Sequence, residues 1–277
     1  MNFFLFSKGK RIKDSFLLKD FETEGLGIFE SLRTYQGEIF RLQDHLKRFV
    51  ESAKTAGLPM PCSLETLGRE LRLALEAFQK ENPGREKKDV FIRLMLWRDN
   101  PVVLIGEKKH PAFLYKEGVC LRTSPVKRSH SNASPPEVKT TAYQNAVLAS
   151  LEPLQEKTYE WIFLDREGLV TEVRIGNLFI VTREGLFTPP TAGILNGVTR
   201  RFVIDCAHEL KIPVQETPLT RHAIFNADEA FLTNTSWEIL PVRELDGRRI
   251  GTKIPGPVSL KLQKFFKQKV SRECLRK

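Results

Sequence analysis

The tract from Ser124 to Glu137 constrains this chain more than any other stretch. It holds three prolines and four serines with little apolar material between them. Proline fixes φ and removes a backbone donor, so neither a helix interior nor a central strand runs through such a tract. The chain it divides has 277 residues, enough for two domains of ordinary size, each with a core. The reading is therefore an N-terminal domain over residues 1–124, an interdomain loop over 125–137 and a C-terminal domain over 138–277.

Short strands and helices alternate on both sides of that tract. Asn2 to Phe6 reads as a strand. The second half of Gly25 to Arg33 alternates apolar and polar residues, the period of a half-buried strand. Tyr35-Gln36-Gly37-Glu38 is a hairpin turn with its return through Ile39 and Phe40. Leu42, Leu46, Phe49, Val50 and Ala53 recur at helical steps, which predicts an amphipathic helix stopped by Gly57. Ser63 caps a second helix to about Phe78. Branched and aromatic runs predict strands at 90–96, 102–105, 113–115 and 119–123. Beyond the tract a helix is expected with Lys139 in its first turn. Strands follow at 160–164, 169–173, 177–181 and 186–187, then a helix over 198–210. Strands at 212–214, 229–232 and 241–242 and a C-terminal helix over 255–270 complete an α/β (α+β) chain.

Composition narrows the class. Hydrophobic residues make up 41% and charged residues 28%, as in a soluble globular protein. No apolar run approaches the roughly 20 residues that span a bilayer. The apolar start, Met1 to Phe6, is followed rather than preceded by charge, the reverse of a secretory signal. A cytoplasmic protein without a membrane partner is expected. Cys62, Cys120, Cys206 and Cys274 are far apart, which suits reduced thiols and neither a disulfide framework nor a metal site. The net charge of +10 is spread along the chain, with an excess over 261–277 and no nucleic-acid motif beside it. It reads as solubility and attraction for anionic small molecules.

Four stretches carry chemistry. Lys139 stands where a helix N-terminus disfavours a cation, with Tyr143 one turn on. That points to a lysine kept for its amine, although alone it would pass for one surface lysine among many. Glu172 interrupts the apolar strand end Val170 to Val173, and a buried carboxylate needs a partner such as a protonated ring nitrogen. Leu195-Asn196-Gly197-Val198-Thr199-Arg200 opens a helix, where free amides and the Thr199 hydroxyl can cradle a phosphate. Thr233-Asn234-Thr235-Ser236 adds small donors after a strand. Arg48 could grip a phosphate in a bidentate way, or be an ordinary ion-pair residue. Amine, lone carboxylate and phosphate cradle together fit pyridoxal 5'-phosphate.

With these residues in view the chain resembles the class IV aminotransferases, the fold-type IV pyridoxal-phosphate enzymes. That group includes branched-chain and D-amino acid aminotransferases and aminodeoxychorismate lyases. The resemblance rests on Gly27 to Arg33, on His45-Leu46-Lys47-Arg48 and on Lys139 with Tyr143, Asn145, Val147, Leu148 and Ala149. It continues through Thr171-Glu172 with Gly176-Asn177-Leu178-Phe179, Asn196 to Arg200, and Thr235 ahead of Pro241-Val242. It implies a smaller N-terminal α/β sandwich, a larger C-terminal pseudo-barrel and a homodimer. It also implies that Lys139 forms the Schiff base and moves the substrate proton, and that Glu172 bonds the pyridine nitrogen. Arg48, Val198, Thr199 and Thr235 would bind phosphate, and Tyr143 would contact the phenolic oxygen.

The departures fall around the substrate. Glu24 and Leu26 replace a pattern that carries a tyrosine, Trp97 departs from Thr-Arg-Gly, and Trp237 stands where branched-chain enzymes have a small residue. Phe29, Arg93, Arg174, Ser236 and Trp237 are the substrate candidates, with ion pairing as the ordinary alternative for Arg93 and Arg174 and core packing for Phe29 and Trp237. The expected activity moves an amino group between an amino acid, of branched-chain or D type, and a 2-keto acid. The alternatives are a 4-amino-4-deoxychorismate lyase releasing pyruvate and 4-aminobenzoate, and a non-catalytic relative.

Overall fold

The computed structural model describes residues 3–7, 10–11, 27–84, 88–97, 100–128, 135–142, 144–151 and 158–275. The chain forms two compact units. One comprises Met1–Lys109, Val138–Ala142 and Val270–Lys277, the other His110–Glu137 and Tyr143–Lys269.

The first unit is built on strands β1 (Phe3–Ser7), β2 (Lys10–Arg11), β3 (Ile28–Tyr35), β4 (Glu38–Ile39), β5 (Phe91–Trp97) and β6 (Asn100–Gly106). Among the described residues they order as β2-β1-β6-β5-β3-β4. The β3–β4 hairpin turns through Gln36 and Gly37, both at positive φ, 54° and 89°. Such a two-residue turn matches the twist of its strands, and Gly37 adopts it without strain. Helix α1 (Leu42–Thr55) puts Leu42, Leu46, Phe49 and Ala53 into the core, as its spacing predicts. Helix α2 (Leu64–Glu81) is capped by Ser63, whose hydroxyl accepts from the Thr66 N–H at 3.2 Å. Its Leu67, Leu71 and Phe78 join Ile92, Leu94 and Ile105 from the sheet.

The second unit carries a larger sheet. Its strands are β7 (Val119–Thr123), β8 (Thr158–Leu164), β9 (Val170–Val173), β10 (Asn177–Thr182), β11 (Gly185–Thr188), β12 (Val214–Glu216), β13 (Glu229–Asn234), β14 (Glu238–Leu245) and β15 (Arg248–Arg249). Among the described residues the order is β12-β11-β10-β13-β14-β7-β8-β9, with β15 on β14. Alternation sorts the strands' two faces. Leu178, Ile180, Ala230, Leu232, Leu240 and Val242 enter one core cluster. Phe179 and Phe231 point the other way and stack at 5.1 Å. The helices here are α3 (Ala112–Glu117), α4 (Gln144–Leu151), α5 (Val198–Glu209), α6 (Arg221–Phe225) and α7 (Pro257–Leu275), the last ending in the first unit. Two curled sheets with covering helices are the α/β architecture the resemblance implies.

Two elements differ from the sequence reading. Residues 113–115, expected as a strand, lie in α3. Pro111 precedes that helix and Gly118 closes it at φ +71°, so the punctuation outweighs the aromatic content. Lys139 is not in a first helical turn, because α4 begins at Gln144. Since β4 pairs only with Thr34 and Tyr35, the first half of β3 keeps an open edge. Residues 139–141 occupy it. Phe29 N–H donates to the Lys139 carbonyl at 2.9 Å and Thr141 N–H to the Gly27 carbonyl at 2.8 Å.

Candidate active site

In the first unit the site grows from the two faces of β3. Ile28, Glu30, Leu32 and Thr34 face inward and are fully buried. Glu30 is therefore a carboxylate in an apolar row, which is costly without partners. Helix α1 supplies them from one face, His45 and Arg48 being three residues apart. Arg48 donates through Nε to Glu30 Oε1 at 2.6 Å and through Nη2 to Oε2 at 2.7 Å. His45 Nδ1 meets Oε2 at 2.7 Å. Burial alone would push the Glu30 carboxyl up. The Arg48 charge and the hydrogen bonds from His45 and Arg48 outweigh it and hold Glu30 far below the usual carboxylate range. Burial pushes His45 down, against the pull of Glu30 and with the help of the Arg48 and Lys139 charges. His45 thus serves as a neutral donor.

The other face of β3 presents Phe29. The Lys139 amine lies 4.5 Å from its ring centroid and the Arg93 guanidinium 4.8 Å. Arg93 reaches Phe29 because it pairs with Ser31 across β3 and β5, two residues away on one face. The Lys139 backbone is also tied to α1, its N–H donating to Ser52 Oγ at 3.2 Å. The fold thus gathers Arg48, Lys139, Phe29 and Arg93 around β3. Glu30 and Ser52 were not among the sequence candidates. The legible signal for Glu30 was its place in the inward row Ile28, Leu32, Thr34. Trp97 has a packing explanation: a side chain at Gly27 would collide with its indole, so the large residue lies against the missing one.

In the second unit the site grows from β9. Glu172 is 5% exposed. Arg128 Nη2 lies 2.6 Å from Oε1. On Oε2, the Leu195 N–H donates at 3.1 Å and Asn177 Nδ2 at 3.3 Å. Asn177 also donates to the Leu195 carbonyl at 2.9 Å, joining the carboxylate to the turn ahead of α5. That turn needs Gly197, because a Cβ there would run into the Asn177 amide oxygen. Gly197→Ala is accordingly expected to displace Asn177 and to cost about 1–3 kcal/mol, read as a lower denaturation midpoint with an unchanged slope. A Gly197→Ala protein as stable as the parent would refute this.

Helix α5 opens at Val198 and Thr199, both buried, and its N-cap Gly197 offers no side-chain acceptor to the first amides. Arg200, in the same first turn, anchors it by donating to the Pro189 carbonyl at 2.8 Å and to Glu216 at 2.7 Å. Thr235 and Ser236 lie in the turn between β13 and β14. Asn234 Oδ1 accepts there from the Ser236 and Trp237 amides at 2.8 and 2.6 Å. Ser236 Oγ contacts His110 Nε2 at 2.5 Å, a neighbour the sequence did not suggest.

Two substrate candidates are placed otherwise than expected. Trp237 is 2% exposed and packs into the core cluster beside Tyr159 and over Gly176, because an indole is stabilised more by burial than by exposure at a turn. Arg174 is committed to buried Glu160 at 3.0 Å. Burial pushes the Glu160 carboxyl up, with Arg174 and the Trp161 N–H in part opposing it. Tyr143, Glu24 and Leu26 lie outside the described residues.

Taken unit by unit, the groups present suit the separate parts of a ring that carries an aldehyde, a phosphate and a basic nitrogen. The first unit offers the amine of the half-buried Lys139; the second offers a buried carboxylate at Glu172 and a helix start whose amides lack a side-chain cap.

Known proteins resemble this chain over most of its length. The family described as Amino-transferase class IV matches residues 27–245. A putative branched-chain-amino-acid aminotransferase of Methanocaldococcus jannaschii is 35% identical over 88% of this chain and 86% of its own. The branched-chain-amino-acid aminotransferase of Pseudomonas aeruginosa is 34% identical over 89% and 85%. The crystal structure of the T.th. branched-chain amino acid aminotransferase with pyridoxamine 5'-phosphate is 28% identical. It superposes with a TM-score of 0.86 over 96% of this chain and 93% of that one. The chain belongs to the class IV aminotransferases. It is a transaminase whose cofactor is pyridoxal 5'-phosphate.

Proposed function

We propose that this transaminase moves an amino group between a branched-chain aliphatic amino acid and a 2-keto acid. The observation that carries the reading is the cluster on β3: amine, aromatic ring and guanidinium, with Lys139 at 4.5 Å and Arg93 at 4.8 Å from the Phe29 centroid. The ring suits an aliphatic side chain, and the guanidinium suits a carboxylate. The names borne by the M. jannaschii and P. aeruginosa relatives support the same substrate class.

When bound, pyridoxal phosphate supplies an aldehyde to receive the amino group and a ring to accept the electron pair left as the α-C–H bond breaks. Lys139 is the amine that would hold the cofactor's aldehyde end. Its free amine would serve as the base for the substrate α-proton and carry that proton onward. The ionised Glu172 carboxylate would accept from the ring N–H and so keep that nitrogen protonated. Arg48, kept in one rotamer by Glu30, contributes charge to the phosphate, with the Val198 amide and the Thr199 and Thr235 hydroxyls as donors. Tyr143 contacts the phenolic oxygen, and Phe29, Arg93 and Ser236 meet the substrate.

A homodimer in the cytoplasm belongs to this reading. The cysteines are free thiols, and α4 leaves Val147, Leu148 and Leu151 at 55, 50 and 75% exposure, an apolar strip a second copy would cover. Among the described residues no helix is long and apolar enough to cross a membrane.

The test follows the cofactor spectrum of the purified protein. Leucine, isoleucine or valine is expected to convert it stoichiometrically to the pyridoxamine form, and a 2-keto acid to restore it. Pyruvate released from aminodeoxychorismate with no keto-acid acceptor would replace the transaminase reading with the lyase one. A spectrum unmoved by branched-chain amino acids but moved by D-amino acids would overturn the substrate class.

A further inference from the structure

We propose that Arg128 is a positioning residue that keeps the Glu172 carboxylate ionised and aimed at the cofactor's ring nitrogen. This rests on the reading that Glu172 binds that nitrogen. Arg128 lies in the Ser/Pro tract, which sequence alone marks as a connector, yet its backbone stays hydrogen-bonded to β8. Ser124 N–H donates to the Ile162 carbonyl and Arg128 N–H to the Leu164 carbonyl, both at 2.9 Å. The segment therefore tracks β8 after β7 ends. Strand β9 pairs with β8 on its other side, so Arg128 is held one strand away from Glu172. Its guanidinium spans that gap and meets Oε1 at 2.6 Å, with 20% of the arginine side chain and 7% of the glutamate side chain exposed.

Donors reach both oxygens of this carboxylate, among them the guanidinium on Oε1 and the Leu195 N–H and Asn177 amide on Oε2. A protonated carboxyl would turn its own O–H against one of them. Without Arg128, burial would favour the uncharged acid, and a neutral carboxyl gives a ring N–H⁺ much less stabilisation.

The test compares two ligands on the cofactor-depleted full-length chain. One is pyridoxal phosphate, the other its analogue with C–H in place of the ring nitrogen. The ratio of their dissociation constants, followed by tryptophan fluorescence, isolates the contact to nitrogen from the aldehyde and phosphate contacts. Arg128→Gln and Arg128→Met are expected to reduce the wild-type preference for pyridoxal phosphate by about ten- to hundredfold. Arg128→Lys, which keeps the charge, should stay near wild type, and Glu172→Gln sets the floor. A Gln or Met variant that weakens both ligands equally, or leaves the ratio unchanged while Glu172→Gln lowers it, would overturn the role of Arg128. If Glu172→Gln itself leaves the ratio unchanged, the assignment of Glu172 to the ring nitrogen falls, and this proposal with it. Should the Met variant not fold, the Gln and Lys variants still decide the matter.

Discussion

Replacing Lys139 with alanine is expected to abolish covalent capture of the cofactor. Borohydride treatment of the wild-type holoprotein should attach one pyridoxyl group to the peptide containing Lys139, and the variant should carry none. Transamination should fall by at least about 10²–10⁴-fold, on the proposal that the same amine acts as proton carrier. Lys139 is only partly buried and its backbone, not its side chain, makes the bonds to β3 and Ser52. The variant should therefore fold normally, and its thermal midpoint should stay close to that of the parent. Added methylamine, which supplies a diffusible amine, should restore part of the rate. Borohydride labelling of another lysine in the wild-type protein would remove Lys139 from the mechanism.

The second large effect concerns Glu30. Glu30→Gln leaves the Arg48 guanidinium buried beside a group that cannot balance its charge. Breaking such a pair costs about 3–5 kcal/mol, which should lower the thermal midpoint by on the order of 10 °C. Cofactor affinity should fall as well, since Arg48 loses its fixed rotamer. The same pair sets an acid limit on stability. Glu30 titrates in the unfolded chain near 4.5 and in the folded chain far lower. Its contribution is thus fully present above about 4.5 and is lost as pH falls through that range. His45 adds to this from higher pH. The unfolded chain takes up its proton near 6.5, whereas burial keeps the folded imidazole neutral to lower pH. The share of stability due to this pair should be level above about 6.5, decline below it and fall more steeply below about 4.5. Denaturant midpoints measured across pH for the parent, His45→Asn and Glu30→Gln would show it. A Glu30→Gln protein with the parent's acid profile would contradict this account.

Local chemistry explains where sequence reading succeeded. The β3–β4 turn follows from Gln36-Gly37, α1 from its helical spacing, and α2 from the Ser63 cap, because each depends on residues a few positions apart. The reading of 113–115 as a strand gave the aromatic residues more weight than Pro111 and Gly118, which bracket a short helix. For Lys139 the sequence suggests a chemistry, but the helical backbone it predicts is not the one adopted. Its extended course depends on an open edge of β3 more than a hundred residues away in sequence, and no window around Lys139 contains that edge.

The amine, the acid at Glu172, the glycine at 197 and the helix start after it are all written in the order of residues, since each has a chemical identity that pairing does not alter. What those groups touch was decided only when the chain folded. Tertiary pairing set Glu30 against Arg48 and His45, laid Phe29 under Lys139 and Arg93, withdrew Trp237 into the core and brought Arg128 across β8 to Glu172. The physical reason is that a buried charge is tolerable only beside its counter-charge, and which residue supplies that counter-charge is settled by strand order and helix docking rather than by distance along the chain.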